Sequence, residues 1–164
     1  MNLIAAVSRD WGIGKNGDLL FHIKQDMKFF KETTMNHVVV MGRKTLDSFP
    51  NKKPLVNRVN IVLTRDKEFS REGVIAVHSL DELLAEVKKY NDDVFVIGGG
   101  EVYKMLMPYC QRAYITKVNE DADADTFLPN IEKDENWQLV NSSKEFIEGN
   151  RTFQFVVYER NQVR

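Results

Sequence analysis

One carboxylate stands where the chain should be burying carbon. In LLFHIKQDMKFFK, residues 19–31, helical spacing puts Ile23, Met27, Phe30 and Thr34 on one stripe. Asp26 falls on that stripe, beside Met27 and Phe30. Lys24 and Lys28, two positions to either side, point away from it. Using Asp26 as a helix cap would discard the stripe that begins at Ile23. A carboxylate among Met27, Phe29 and Phe30 is expensive to bury without a hydrogen-bond partner, and no cation on that helix face provides one. A ligand with two adjacent N–H donors would satisfy both oxygens, which makes Asp26 the first candidate for chemistry.

Three other places suit phosphate. Apolar runs end at Met41, Leu63 and Ile97, and in open α/β sheets ligands bind at such carboxyl ends. Met41 is followed by Gly42-Arg43-Lys44-Thr45 at a helix start, with free backbone N–H groups, a hydroxyl and two cations. Leu63 is followed by Thr64-Arg65, and Ile97 by Gly98-Gly99-Gly100 and another helix start. Together they favour a nucleotide carrying several phosphates.

Some motifs mislead. Gly12-Ile-Gly-Lys-Asn-Gly17 matches G-x-G-x-x-G, but the helical period begins only near Ile23 and the next strand ends in Arg43-Lys44 instead of an acid. We read it as a flexible active-site loop. Asp121-Ala-Asp-Ala-Asp125 imitates a calcium loop, yet its sixth position is Thr126, and Pro129 interrupts it. His22, His37 and His78 are scattered, and no metal is expected. The lone Cys110 excludes an internal disulfide framework and reads as a small buried hydrophobe.

The elements that must position these residues follow from the apolar pattern. Leu3–Val7, Val38–Met41, Val59–Leu63, Val74–Val77 and Val94–Ile97 read as strands, several apolar throughout, as strands covered on both faces are. Between them lie helices at about 23–34, from Gly42 towards Phe49, from a Ser79–Glu82 capping box, and after Gly100. After Arg112 the pattern becomes AYITKV, WQLV and TFQFVVY, strands without helices between them. The fold class is α/β: one domain over 1–164, a central, mostly parallel, twisted mixed sheet flanked by about four helices, with antiparallel C-terminal strands. The formal net charge of −1 gives no reason to expect nucleic acid or a membrane surface. The start MNLIAAVSRD reads as a strand and not a signal peptide, so a cytoplasmic protein is expected.

With these residues located, the sequence resembles dihydrofolate reductase of the bacterial type. The likeness rests on LIAAVSRDWGIGKNG, the Asp26 helix with Phe30, VVVMGRKTLDSF, PLVNRVNIVLTR, VFVIGGGEVY, AYITKV and DADTFLP, in the family's order. The resemblance implies NADPH-dependent reduction of 7,8-dihydrofolate to tetrahydrofolate, with hydride passing to pterin C6 and a proton to N5. It makes Asp26 the single buried acid, hydrogen-bonded to the pterin 2-amino group and N3 and supported by Thr116. Leu19 and Phe21 would belong to the loop over the catalytic centre. Ile4, Ala5, Ala6, Met27, Phe30, Phe49, Leu55, Ile97 and Tyr103 would line the pterin and benzoyl pocket, and Arg58 would grip the glutamate carboxylate. Ala6, Ile13, Gly14, Ile97 and Tyr103 would meet the nicotinamide. Gly42, Arg43, Lys44, Thr45, Leu63, Thr64, Arg65, Gly98, Gly99, Gly100, Glu101 and Val102 would surround the rest of the cofactor, whose adenosine part falls within about 38–105. A monomer that binds antifolate inhibitors is the implied form.

The chain departs from the family pattern at Leu20-Phe21, where Pro-Trp is usual, and phenylalanine cannot donate a hydrogen bond to the water that the tryptophan holds. Lys24 replaces a proline, Val56-Asn57 replaces Pro-Gly, and Glu101 stands where a cation would help phosphate. Two rival functions stay open at this stage: a related-fold reductase of another pterin or pyrimidine, and a silent nucleotide-binding module. Dihydrofolate turnover separates the first, and NADPH binding without oxidation would mark the second.

Overall fold

The computed structural model describes residues 1–161, so the single-domain expectation for 162–164 lies outside the described residues. In chain order its elements are β1 (Asn2–Val7), β2 (Gly12–Lys15), β3 (Asp18–Leu19), α1 (Lys24–Thr34), β4 (Val38–Gly42), α2 (Arg43–Asp47), β5 (Val59–Leu63) and β6 (Val74–Val77). There follow α3 (Leu80–Val87), β7 (Val94–Gly98), α4 (Gly100–Leu106), β8 (Arg112–Val118), β9 (Thr126–Phe127), β10 (Trp137–Ser142), β11 (Phe146–Glu148) and β12 (Arg151–Arg160).

The main sheet runs β10-β12-β8-β1-β7-β4-β5-β6, with β11 also paired to β12. From β8 to β6 every pairing is parallel, whereas β12 runs antiparallel to β8, β10 and β11. This is the expected α/β order with an antiparallel finish. β4 shows why its run is apolar throughout. Val38 and Val40 pack into the cluster of Leu3, Ile61, Leu83, Val96 and Leu106, while Val39 and Met41 pack on the other face with Ile4, Leu46, Val62 and Phe95. Alternate side chains thus serve α3 and α4 on one side and α1 and α2 on the other.

α2 is only five residues long, too short to hold itself helical, and Leu46 anchors it with no exposed surface. Leu46→Ala should lower stability by about 2–5 kcal/mol, read from the urea midpoint. An unchanged midpoint would contradict this account of how Arg43–Thr45 are held.

Two expectations are corrected. Residues 12–17, read as a loop, carry regular structure: β2 pairs with β3 and with β9 in a separate three-stranded sheet. Asn16 (φ 53°) and Gly17 (φ 79°) make the two-residue turn, and the Asp125 carboxylate accepts from the Asn16 N–H at 2.9 Å. Gly12 has to be glycine, because a Cβ there would lie 2.5 Å from the Ala124 Cβ. Met27, placed on the buried stripe, is 59% exposed. The remaining stripe holds, with Ile23 and Thr34 buried and Phe30 half-buried.

The α3 cap forms as expected at Ser79, whose hydroxyl accepts from the Glu82 N–H at 3.1 Å. The Glu82 carboxylate reaches one residue further back than the motif specifies, to the His78 N–H at 2.7 Å.

Candidate active site

Asp26 is the third residue of α1 and faces β8, where its missing partner is found. The buried Thr116 hydroxyl donates to Asp26 Oδ1 at 2.6 Å. Helix periodicity could not reveal this donor, since it comes from a strand 90 residues away. Burial raises the Asp26 pKa above its ordinary value, and the Thr116 hydrogen bond pulls it part of the way back. The second oxygen has no partner among the described residues. α4 brings Tyr103 close, with its hydroxyl donating to the Ile4 carbonyl at 2.7 Å. Burial, and then the nearby Asp26 charge, push that phenol's pKa up.

The raised pKa has a consequence for the protein without ligand. Below the unfolded pKa of 3.8 the carboxyl is neutral in both states and contributes nothing. As pH rises through the two pKa values, the unfolded chain ionises first, and the folded state loses stability relative to it. Asp26→Asn should therefore raise Tm at neutral pH and leave it unchanged near pH 3. A Tm at pH 7 no higher than the parent's would contradict the burial of charge at Asp26.

Around Asp26 the fold gathers an apolar wall. Phe30 of α1, Phe49 after α2, Leu55 and Ile97 of β7 all pack, half-buried, on the cluster that contains Ile4. Ala6 of β1 is half-buried on the same strand face as Ile4, Ala5 is half-buried on the opposite face against the cluster of Leu3 and Val7, and Met27 stands exposed at the helix's outer side. Arg58 lies past this wall. Its Nη1 donates to Thr34 Oγ1 at 3.1 Å and its Nε to the Val56 carbonyl at 3.0 Å. The remaining guanidinium N–H groups have no protein acceptor among the described residues, and partial burial lowers the pKa. A fork fixed on one side and free on the other suits a planar anion such as a carboxylate.

On the far side of β7 the three expected strand ends converge. Gly42 precedes α2 and Gly99 precedes α4, and neither helix has a side-chain cap. A Cβ placed on Gly98, at φ 130°, would come within 3.5 Å of Thr45 Oγ1, and one on Gly99 within 3.7 Å. The uncapped N–H groups, the Thr45 hydroxyl and the side-chain-free Gly98-Gly99 thus face one space, a donor set that fits a pyrophosphate. Lys44 and Arg65 are exposed at its rim, and Thr64 and Leu63 are half-buried at the end of β5. Glu101 is exposed, and Val102 is buried beneath Gly42.

Arg43 is a surprise of placement. It already bonds Asp66 at 3.0 Å, approaches Asp47 at 3.6 Å and lies 4.5 Å over the Phe69 ring. Asp47 lies one helical turn on from Arg43, whereas Asp66 becomes a neighbour only through the pairing of β4 with β5 and has no local sign in the sequence.

The loop residues divide. Gly14 is half-buried in β2, Ile13 is buried in the core, and Leu19 is 67% exposed. Phe21 is buried with Ile23, Val118 and Phe153, and the Arg151 guanidinium lies 5.2 Å from its ring centre. The acidic run is spent on the protein itself: Asp121 meets Arg9, Asp123 meets Lys15, and Asp125 caps the β2–β3 turn. Cys110 is buried with its thiol pushed up to about 11, as its reading as a hydrophobe requires.

Comparison with known proteins agrees with this arrangement. The family model described as Dihydrofolate reductase matches residues 1–160. The chain belongs to the dihydrofolate reductase family. A dihydrofolate reductase of Heliothis virescens is 38% identical over 98% of this chain and 97% of its own length. That of Bacillus subtilis (strain 168) is 34% identical over 98% and 94%. Among solved structures, dihydrofolate reductase from Enterococcus faecalis, complexed with NADP(H) and RAB-propyl, superposes with a TM-score of 0.87 at 36% identity, covering 98% of this chain and 96% of that one. LIAAVSRDWGIGKNG and VFVIGGGEVY carry this family likeness in the sequence itself. As a dihydrofolate reductase family member, the chain is an oxidoreductase, and its Phe21 lies in an aromatic cluster where it offers no hydrogen-bond donor.

Proposed function

We propose that this chain reduces 7,8-dihydrofolate to 5,6,7,8-tetrahydrofolate with NADPH, and that Asp26 is the group that recognises the pterin. The observation that carries the reading is the Asp26–Thr116 pair at 2.6 Å, which leaves the second carboxylate oxygen without a partner among the described residues.

Each residue's part follows from its chemistry. Asp26 and Thr116 offer acceptors to the pterin's adjacent N–H groups, so the ring docks in one orientation. The negative charge of the ionised carboxylate makes the bound ring more basic at N5, which favours the proton that must arrive there. Ile4, Ala6, Phe30, Phe49, Leu55 and Ile97 exclude water from the ring and the benzoyl group, with Met27 at the rim, while the Ala5 side chain faces the other side of β1. Arg58 holds the glutamate carboxylate. NADPH supplies the hydride that reaches pterin C6. Gly42, Arg43, Lys44, Thr45, Thr64, Arg65 and the Gly98–Gly100 turn hold its phosphates, within an adenosine-binding part spanning about 38–105. Ile13, Gly14 and Leu19 would cover the nicotinamide end, with Tyr103, fixed by its hydrogen bond to the Ile4 carbonyl, beside it. Phe21 shapes the loop by packing. Inhibitors that present adjacent N–H groups to Asp26 would compete with the substrate.

We also infer a monomer acting in the cytoplasm without nucleic acid or membrane partners. The near-zero net charge gives no attraction to nucleic acid or an anionic membrane surface, the monomer is the common form that the resemblance implies, and no helix among the described residues is long and apolar enough to cross a membrane. The test is loss of NADPH absorbance on adding dihydrofolate to the purified protein. Rapid loss is expected. NADPH binding without oxidation would overturn the assignment, and oxidation only with an aminopyrimidine would replace the substrate.

A further inference from the structure

α1 is not capped by its own neighbourhood. The residue before it, Ile23, is apolar and buried, and its side chain accepts nothing. A helix start without a cap leaves N–H groups unpaired and frays. Here the two outermost are taken by one carboxylate from the far end of the chain. Glu148 Oε2 accepts from the Lys24 N–H at 2.8 Å and Oε1 from the Gln25 N–H at 3.1 Å. Gln25 Nε2 returns a bond to the Ile147 carbonyl at 3.4 Å. Glu148 ends β11 and pairs with Arg151 of β12 across a turn at Gly149. The same hairpin lays Arg151 over Phe21, so it grips both the chain entering α1 and the helix's first turn.

We propose that Glu148 is a positioning residue for catalysis: by capping α1 from the β11–β12 hairpin, it holds the first turn, and with it Asp26, against Thr116. The proposal rests on the reading of Asp26 as the pterin-recognising acid. The two backbone N–H bonds, that of Lys24 first, hold the Glu148 carboxyl below the usual carboxylate range, so the cap is ionised wherever the enzyme turns over. Thr116 on β8 donates to Asp26 and Tyr103 on α4 feels its charge, whereas Lys24 and Lys28 on its own helix are exposed and point away, and Glu148 and Arg151 belong to the hairpin at the helix start.

The experiment is a double-mutant cycle between Glu148→Ala and Lys24→Pro. Proline at the first helical position has no N–H to satisfy and a φ already helical, and Ile23 before it is extended (φ −105°, ψ 119°), as a residue preceding proline must be. Glu148→Ala should lower the single-turnover rate of dihydrofolate reduction roughly tenfold, as loss of alignment does, with NADPH affinity unchanged. Its pH–rate profile should shift to lower pH, because a frayed turn admits water to Asp26 and relaxes the raised pKa. Lys24→Pro alone should change little, and in the Glu148→Ala background it should restore both rate and profile. A Glu148→Ala variant that loses thermal stability yet keeps rate and profile would reduce the cap to a structural bond and overturn the proposal. So would a folded double variant without recovery. Asp26→Asn, measured alongside, separates the failures: full turnover there sinks the reading of Asp26, whereas its loss beside an unaffected Glu148→Ala sinks the positioning role alone.

Discussion

Asp26→Asn should leave NADPH affinity unchanged and lower the rate of hydride transfer by about 10²–10⁴-fold at neutral pH, the span of a positioned acid–base group. The substitution keeps the side chain's size and one acceptor oxygen, so the Thr116 hydroxyl at 2.6 Å retains its partner and the helix is not disturbed. What changes faces the ligand. An NH₂ group replaces the free oxygen and meets the pterin's own N–H groups donor to donor, and the negative charge that raises the ring's basicity is gone. The loss should shrink as pH falls, because the parent carboxyl protonates at a pKa above its ordinary value and comes to resemble the variant. Single-turnover absorbance across pH, with NADPH binding followed by fluorescence, gives both quantities. A variant with full turnover at neutral pH would remove Asp26 from the mechanism. A variant equally impaired at every pH would remove the charge and leave only the shape.

Arg58→Leu should weaken dihydrofolate binding by about 2–5 kcal/mol while leaving a tail-less dihydropterin unaffected. The guanidinium is held in advance by Thr34 and the Val56 carbonyl, so an incoming carboxylate meets an ordered, partly desolvated cation. Leucine fills the stem's volume but offers no donor, and the glutamate tail would lose its ion pair on entering the cleft. Because Thr34 also donates to the Phe30 carbonyl at 2.8 Å, it keeps a partner in the variant and α1 stays intact. Equal losses for both ligands would show that Arg58 shapes the pocket and does not read the tail.

The parallel strands were legible because they are covered on both faces: VVVM and VFVI carry no polar side chain, and only a buried strand reads that way. Asp26 was legible for the opposite reason, as a charge in an apolar stripe. Hidden features are those whose cause lies far along the chain. β2 and β3 are four and two residues long, too short for any period, and β2 is completed by Thr126–Phe127, more than a hundred residues on. Asn16-Gly17 was the local signal for that hairpin, overlooked inside the longer glycine motif. Met27 shows the limit of periodicity, which names a face of a helix without saying how far the packed sheet extends beneath it. The Glu148 cap and the Asp66 partner of Arg43 have no local signature at all.

The central position of β1 also governs the order in which the sheet can be completed during synthesis. Among the strands of the sheet β1 is made before the rest, yet its two neighbours are residues 94–98 and 112–118. Until those are made, the apolar run Leu3–Val7 has no strand to join, and local contacts cannot stand in for them. The outer edge of β8 then waits for residues 151–160. A nascent chain that has completed β8 but not β12 therefore presents an unpaired, largely apolar strand edge to its surroundings, and its protection depends on how soon residues 151–160 follow.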